Sequence, residues 1–148
     1  MHLRMSRPEN TLWHTVVLTM MTRRAGASAA DAAAVAAAAR RAYDDLAAAL
    51  VPLISQAGVD ALVARALHLA ARQYPSDHPE EEQAAEAFGR VSLWLERQDR
   101  AAAIDAAAAM FGRFATLLAA LIGEPLTTRY LRKAWPDGFA DTSEGMEA

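Results

Sequence analysis

The sequence contains no cysteine. That excludes a disulfide framework, a thiolate metal site and a cysteine nucleophile. Lysine is nearly absent as well: of 15 basic residues, only Lys133 is not arginine. The simplest source of that bias is codon usage in a GC-rich bacterial genome; the functional alternative is a preference for bidentate anion contacts. No uninterrupted apolar run reaches the roughly 18 residues that mark a membrane-spanning helix. Arg4 and Arg7 precede the apolar stretch Leu12–Met21, but Glu9, His14 and the Arg23-Arg24 pair spoil it as a secretory signal. A cytoplasmic protein is therefore expected. Valine and isoleucine are sparse and no segment alternates with period two, so no strand is expected.

Catalytic signatures are missing too. The chain has no G-x-S-x-G, no P-loop and no G-x-G-x-x-G. Its four histidines, His2, His14, His68 and His78, show no spacing of three or four, and no Glu-x-x-His pair occurs. Neither a helix-borne zinc pair nor a di-iron bundle site is expected, and no cofactor is implied. The net charge of −3 argues against nucleic acid as a partner.

What the chain has is alanine, 37 of 148 residues, in alanine-rich stretches such as Ala29–Ala39 and Ala101–Ala109. Alanine is the strongest helix former because it loses no side-chain entropy. It permits close helix approach but contributes little burial, so the larger apolar residues must carry the core. The expected fold is all-α: one domain over residues 1–138, an irregular bundle of five to six helices, with a polar tail over 139–148.

The few prolines and glycines divide the chain. A first helix covers about Glu9–Arg24. Ser28 with Asp31 resembles a capping box for a second, running to about Ala57 with Val35, Ala39, Ala42, Tyr43, Leu46, Leu50, Leu53 and Ile54 inward. Pro52 predicts a kink near Leu50, and Gly58 marks a boundary before a third helix, Val59–Gln73. Tyr74–Pro79 reads as a loop. A fourth helix spans Pro79–Gln98, with Phe88, Val91 and Leu95 inward and Trp94 on the flank. Asp99 is the expected cap of a fifth, Arg100–Ile122. Gly123 stops it in the manner of a C′ glycine. Pro125 opens a short last helix, and Pro136-Asp137-Gly138 ends it. Gly89 and Gly112 sit singly inside helices at a cost of about 1 kcal/mol each against alanine. A packing reason is expected for each, with a ligand pocket between helices as the alternative.

Three groups of residues invite a functional reading. Arg65, His68 and Arg72 form a polar stripe opposite the apolar face of their helix, suited to an anion or a partner. Histidine phosphotransfer at His68 is the sharper version, but Ala71 stands where such modules carry lysine. Arg129, Arg132 and Lys133 share one face of the last helix, opposite Leu126, Tyr130, Leu131 and Ala134. Tyr43, Phe88, Trp94, Phe111 and Phe114 either fill the core or line a pocket. The leading expectation is a small non-enzymatic interaction or regulatory protein, with a protein partner or a second copy in a homodimer. A small-molecule-binding bundle is the alternative.

Overall fold

The computed structural model describes residues 8–26, 31–75 and 87–139. Five helices follow in order: α1 (Pro8–Ala25), α2 (Ala32–Gln73), α3 (Ala87–Glu96), α4 (Arg100–Ile122) and α5 (Glu124–Ala134). A 3₁₀ turn, Pro136–Gly138, closes the series, and no strand occurs among the described residues. The fold is all-α, as expected. Ser28, the loop beyond Pro75, the helix start at Pro79 and the tail beyond Phe139 lie outside the described residues.

Helix α2 begins at Ala32, and Asp31 itself is its cap: the carboxylate accepts from the Ala33 amide at 3.0 Å. Two adjacent expectations change. The helix does not break at Leu50, nor at Gly58; the non-helical residue is Ser55, at φ 71° and ψ 164°. Proline removes one helical hydrogen bond and crowds the preceding turn. Here Pro52 faces solvent, the helix runs on through it, and the discontinuity falls three residues later. Ser55 then caps the second half, its hydroxyl accepting from the Gly58 amide at 3.2 Å. Gly58 sits in that half's first turn, where a Cβ would come within 3.2 Å of the Ile54 side chain. The break also turns Leu53 outward, to 41% exposure, although its place in the apolar stripe marked it for the core.

A polar staple holds the two halves of α2 at this angle. The Gln56 amide donates to the Tyr43 hydroxyl at 3.0 Å and to Asp60 at 2.9 Å, and the Tyr43 hydroxyl donates to the same carboxylate at 3.1 Å.

The central helix α2 packs against all four other helices, and α1 lies against α4 and the final 3₁₀ turn. Alanines line these contacts: Ala36, Ala38, Ala39 and Ala42 of α2 and Ala103, Ala106, Ala107 and Ala108 of α4 are buried. A column of rings runs through the one core cluster. Tyr43 stacks on Phe88 at 4.6 Å, Phe88 on Phe111 at 6.3 Å, and Phe111 meets Trp135 edge-on at 5.1 Å. The buried Trp135 indole donates to the Ala42 carbonyl at 3.0 Å. Trp94, expected on a flank, is fully buried because its indole reaches the Tyr74 carbonyl at 2.7 Å. At the opposite end of α1, Arg24 pairs with Asp45 at 2.8 Å and Asp137 at 3.1 Å. Gly138 allows the last turn to dock: a Cβ there would lie 2.7 Å from the Val16 carbonyl. Phe139 packs against the core from the start of the segment read as tail.

By length and mean hydropathy, α2 and α4 each hold a stretch apolar enough to cross a membrane (1.8 and 1.5), which a test for uninterrupted apolar runs misses. Core helices satisfy the same measure, and Leu46, Leu50, Phe111 and Phe114 of these two are in the core.

Ser55 occupies a backbone region nearly reserved for glycine, at a strain of about 1–3 kcal/mol. Replacing a capping serine by glycine costs only a few tenths of a kcal/mol, and by alanine about 1 kcal/mol. Ser55→Gly is thus expected to raise the denaturation midpoint and Ser55→Ala to lower it. Denaturant unfolding followed by circular dichroism reads both; a Ser55→Gly protein less stable than Ser55→Ala contradicts the strained assignment.

Candidate functional site

Arg65, His68 and Arg72 are all exposed on the second half of α2, and none pairs with another described residue. On α5, Arg129, Arg132 and Lys133 are likewise exposed. The Arg132 guanidinium covers the Phe139 ring at 4.4 Å. Arg129 and Lys133 border a groove of about 350 Å³ together with Leu126 and Tyr130. The buried face of α5 is therefore Thr127, Leu131 and Ala134, while Leu126 and Tyr130 are only half-buried beside the basic residues.

The five aromatic candidates Tyr43, Phe88, Trp94, Phe111 and Phe114 are all buried in the core cluster. Tyr43 and Phe88 also edge a 260 Å³ cleft above the helix break, where Arg40 lies 5.9 and 5.6 Å from the two ring centroids. Three buried polar atoms have no hydrogen-bond partner among the described residues: Trp13 Nε1, Arg90 Nε and Thr127 Oγ1. No group of three or more His, Cys, Asp or Glu among the described residues is placed to hold a metal ion.

A different constellation forms where α1, the end of α2 and α4 meet. A cleft of about 290 Å³ takes His14 from α1, Gln73 and Tyr74 from α2, and Asp105, Ala108, Ala109, Gly112 and Arg113 from α4. The α4 residues fall at i, i+3, i+4, i+7 and i+8, which places them on one face of a helix. The face is charged at both ends and bare in the middle. Gly112 gives it that shape, and not for the expected packing reason: a Cβ built there meets nothing within 4 Å. The space above it is the cleft.

Behind the cleft, the Tyr74 carbonyl accepts from both Trp94 and Gln98 (2.7 and 3.2 Å), which fixes the end of α2. Burial, aided by the Asp105 carboxylate, raises the Tyr74 phenol above its usual value of 10.0. Asp105 is exposed and Arg113 half-buried, and neither forms a hydrogen bond or ion pair with another described residue.

Of these residues only Gly112 is singled out in the sequence, with a ligand pocket as the alternative to packing; the others stand among no candidates. The signal that points to them is local: a glycine inside a strong helix, flanked on the same face by an acid seven residues earlier and a base one residue later. The convergence of His14 and Tyr74 on that face has no counterpart in the sequence.

No known family's sequence profile matches the chain, and neither a curated protein nor a solved structure does.

Two outcomes follow from the cleft's local physics. Gly112→Ala should stabilise the protein by about 1 kcal/mol, the helix-propensity difference, because the new methyl enters open space; thermal or denaturant unfolding measures it, and destabilisation would mean that the glycine is packed. The native state holds Tyr74 neutral more strongly than the unfolded chain does. This contribution is therefore complete below pH 10.0 and is lost as pH rises through the raised native value. Burial raises the Tyr43 phenol as well, so phenolate absorbance during alkaline titration should show two late-ionising tyrosines, one of which ionises earlier in Asp105→Asn.

Proposed function

We propose that this protein is a non-catalytic helical binding module that recognises a small ligand in the cleft between α1, α2 and α4. The observation that carries the reading is Gly112. It costs helix stability, meets no neighbour that requires it, and lies between Asp105 and Arg113, neither of which is paired among the described residues. Conserving space in the middle of a charged face is of use to something that occupies the space. The volume, about 290 Å³, is at the small end of ligand sites, which run from roughly 300 to 1,000 Å³. It suits a compact metabolite.

An interaction role, self-association or a protein partner, is the second reading. Leu121 favours it, since it is 65% exposed on the last turn of α4, beside the basic helix α5. A single exposed leucine is ordinary on a protein surface, so it supports this reading less than the cleft supports the first. The two are compatible in a regulator whose partner binding responds to a ligand.

The test is a thermal-shift screen of a metabolite library against the wild-type protein and Gly112→Leu, whose side chain fills the cleft. A ligand at one hundred times its Kd stabilises by about 2.7 kcal/mol, which for a chain of this length raises Tm by roughly 5–10 °C. At least one compound is expected to shift the wild type and not Gly112→Leu. A library that shifts neither protein, or both equally, contradicts the reading.

A further inference from the structure

The cleft sorts charge along α4. Asp105 stands at one end of its floor and Arg113 at the other; Ala108, Ala109 and Gly112 between them present nothing larger than a methyl group. Eight residues at about 1.5 Å each put the two α-carbons roughly 12 Å apart along the axis. This is beyond the three- or four-residue spacing at which side chains on a helix pair with one another. Both charges are consequently available.

Their arrangement discriminates among ligand classes. A simple anion seated on Arg113 leaves Asp105 unanswered, and a simple cation leaves Arg113 so. A neutral apolar molecule would cover both charges while pairing neither, which is costly. Only a molecule with a positive and a negative end, joined by an apolar spacer, answers every group on the floor.

Resting on the small-ligand reading above, we propose that the cleft takes an elongated zwitterion, its ammonium against Asp105, its carboxylate against Arg113 and its methylene chain over Ala108, Ala109 and Gly112. The separation of the two charged ends is set by how the Asp105 and Arg113 side chains extend from that backbone spacing, so unbranched ω-amino acids of graded length, such as δ-aminovalerate and ε-aminohexanoate, are the ligands that fit the arrangement. Tyr74 feels the Asp105 carboxylate, so its ring lies at the ammonium end.

The experiment is a titration followed by backbone amide NMR, with δ-aminovalerate, ε-aminohexanoate, valerate and pentylamine as probes. It is run on the wild type, Asp105→Asn and Arg113→Gln, each checked for native helicity by circular dichroism. Ion pairs this open to solvent are weak, so binding in the millimolar range is expected. One ω-amino acid should bind about tenfold more tightly than valerate and pentylamine, with shifts centred on His14, Tyr74 and Gly112. Asp105→Asn should abolish the advantage over valerate, and Arg113→Gln the advantage over pentylamine.

Valerate or pentylamine binding the cleft as tightly as the ω-amino acids overturns the zwitterion assignment and leaves the small-ligand reading standing. Shifts centred on Arg129 and Lys133 instead, or no shifts at tens of millimolar, overturn the assignment too. The broader reading then falls only if the metabolite screen against Gly112→Leu also fails.

Discussion

The indole of Trp135 donates to the Ala42 carbonyl at 3.0 Å, across most of the length of the chain, and the register of the bundle rests on that contact and the rings stacked beside it. Alanine surfaces allow helices to approach closely but are nearly interchangeable, since one methyl fits another's place with little loss. The faces of α2 and α4 that meet in the core are built largely of such methyls. Tyr43, Phe88, Phe111 and Trp135 are not interchangeable, and together they take one ring from each of α2, α3 and α4 and one from the segment after α5. Losing a buried aromatic costs about 3–5 kcal/mol, against a total stability of about 5–15 kcal/mol for a domain. A few rings thus decide which alanine faces which.

The kink in α2 carries this order to the cleft. Ser55 stores backbone strain, and the Tyr43–Gln56–Asp60 hydrogen bonds offset it by tying the first half of the helix to the second. Tyr43 belongs both to that staple and to the aromatic column, so the angle of the second half is set by the core. That half ends at Tyr74, whose carbonyl is held by Trp94 and whose ring joins the cleft. The wall of the site is therefore positioned by groups that do not themselves line it. Within the cleft, Asp105 and Arg113 form no ion pair with another described residue, and a Cβ at Gly112 would meet no neighbour.

Much of the fold was legible because helix signals are local. The alanine runs, the 3.6-residue stripes and the glycine at 123 placed eight of the helix ends within two residues, and Tyr43, Phe88, Phe111 and Phe114 were identified as core or pocket from their spacing alone, whereas Trp135 was not. Several local features were misjudged. The break follows Pro52 by three residues because an exposed proline is tolerated on the outside of a helix and the strain is released further on. Trp94 is buried because a carbonyl on another helix accepts from its indole, and no stripe in the sequence encodes that partner. The cleft was illegible for the same reason. Asp105, Gly112 and Arg113 share a helix face, but the value of that face depends on His14 and Tyr74 arriving from elsewhere. Gly112 was noticed as costly, with packing expected and a pocket between helices as the alternative; only the empty space above it separates the two explanations.

The central claim is that the surface over Gly112 is where this chain meets its ligand. Its most direct test compares backbone amide NMR spectra of the protein recovered rapidly from its own cells with spectra of the same protein after exhaustive dialysis. Differences confined to the neighbourhood of His14, Gln73–Tyr74 and Asp105–Arg113 are what the account predicts. Identical spectra in that region, with differences gathered instead around Leu121 or along Arg129–Lys133, would contradict it and move recognition to the α5 side of the molecule.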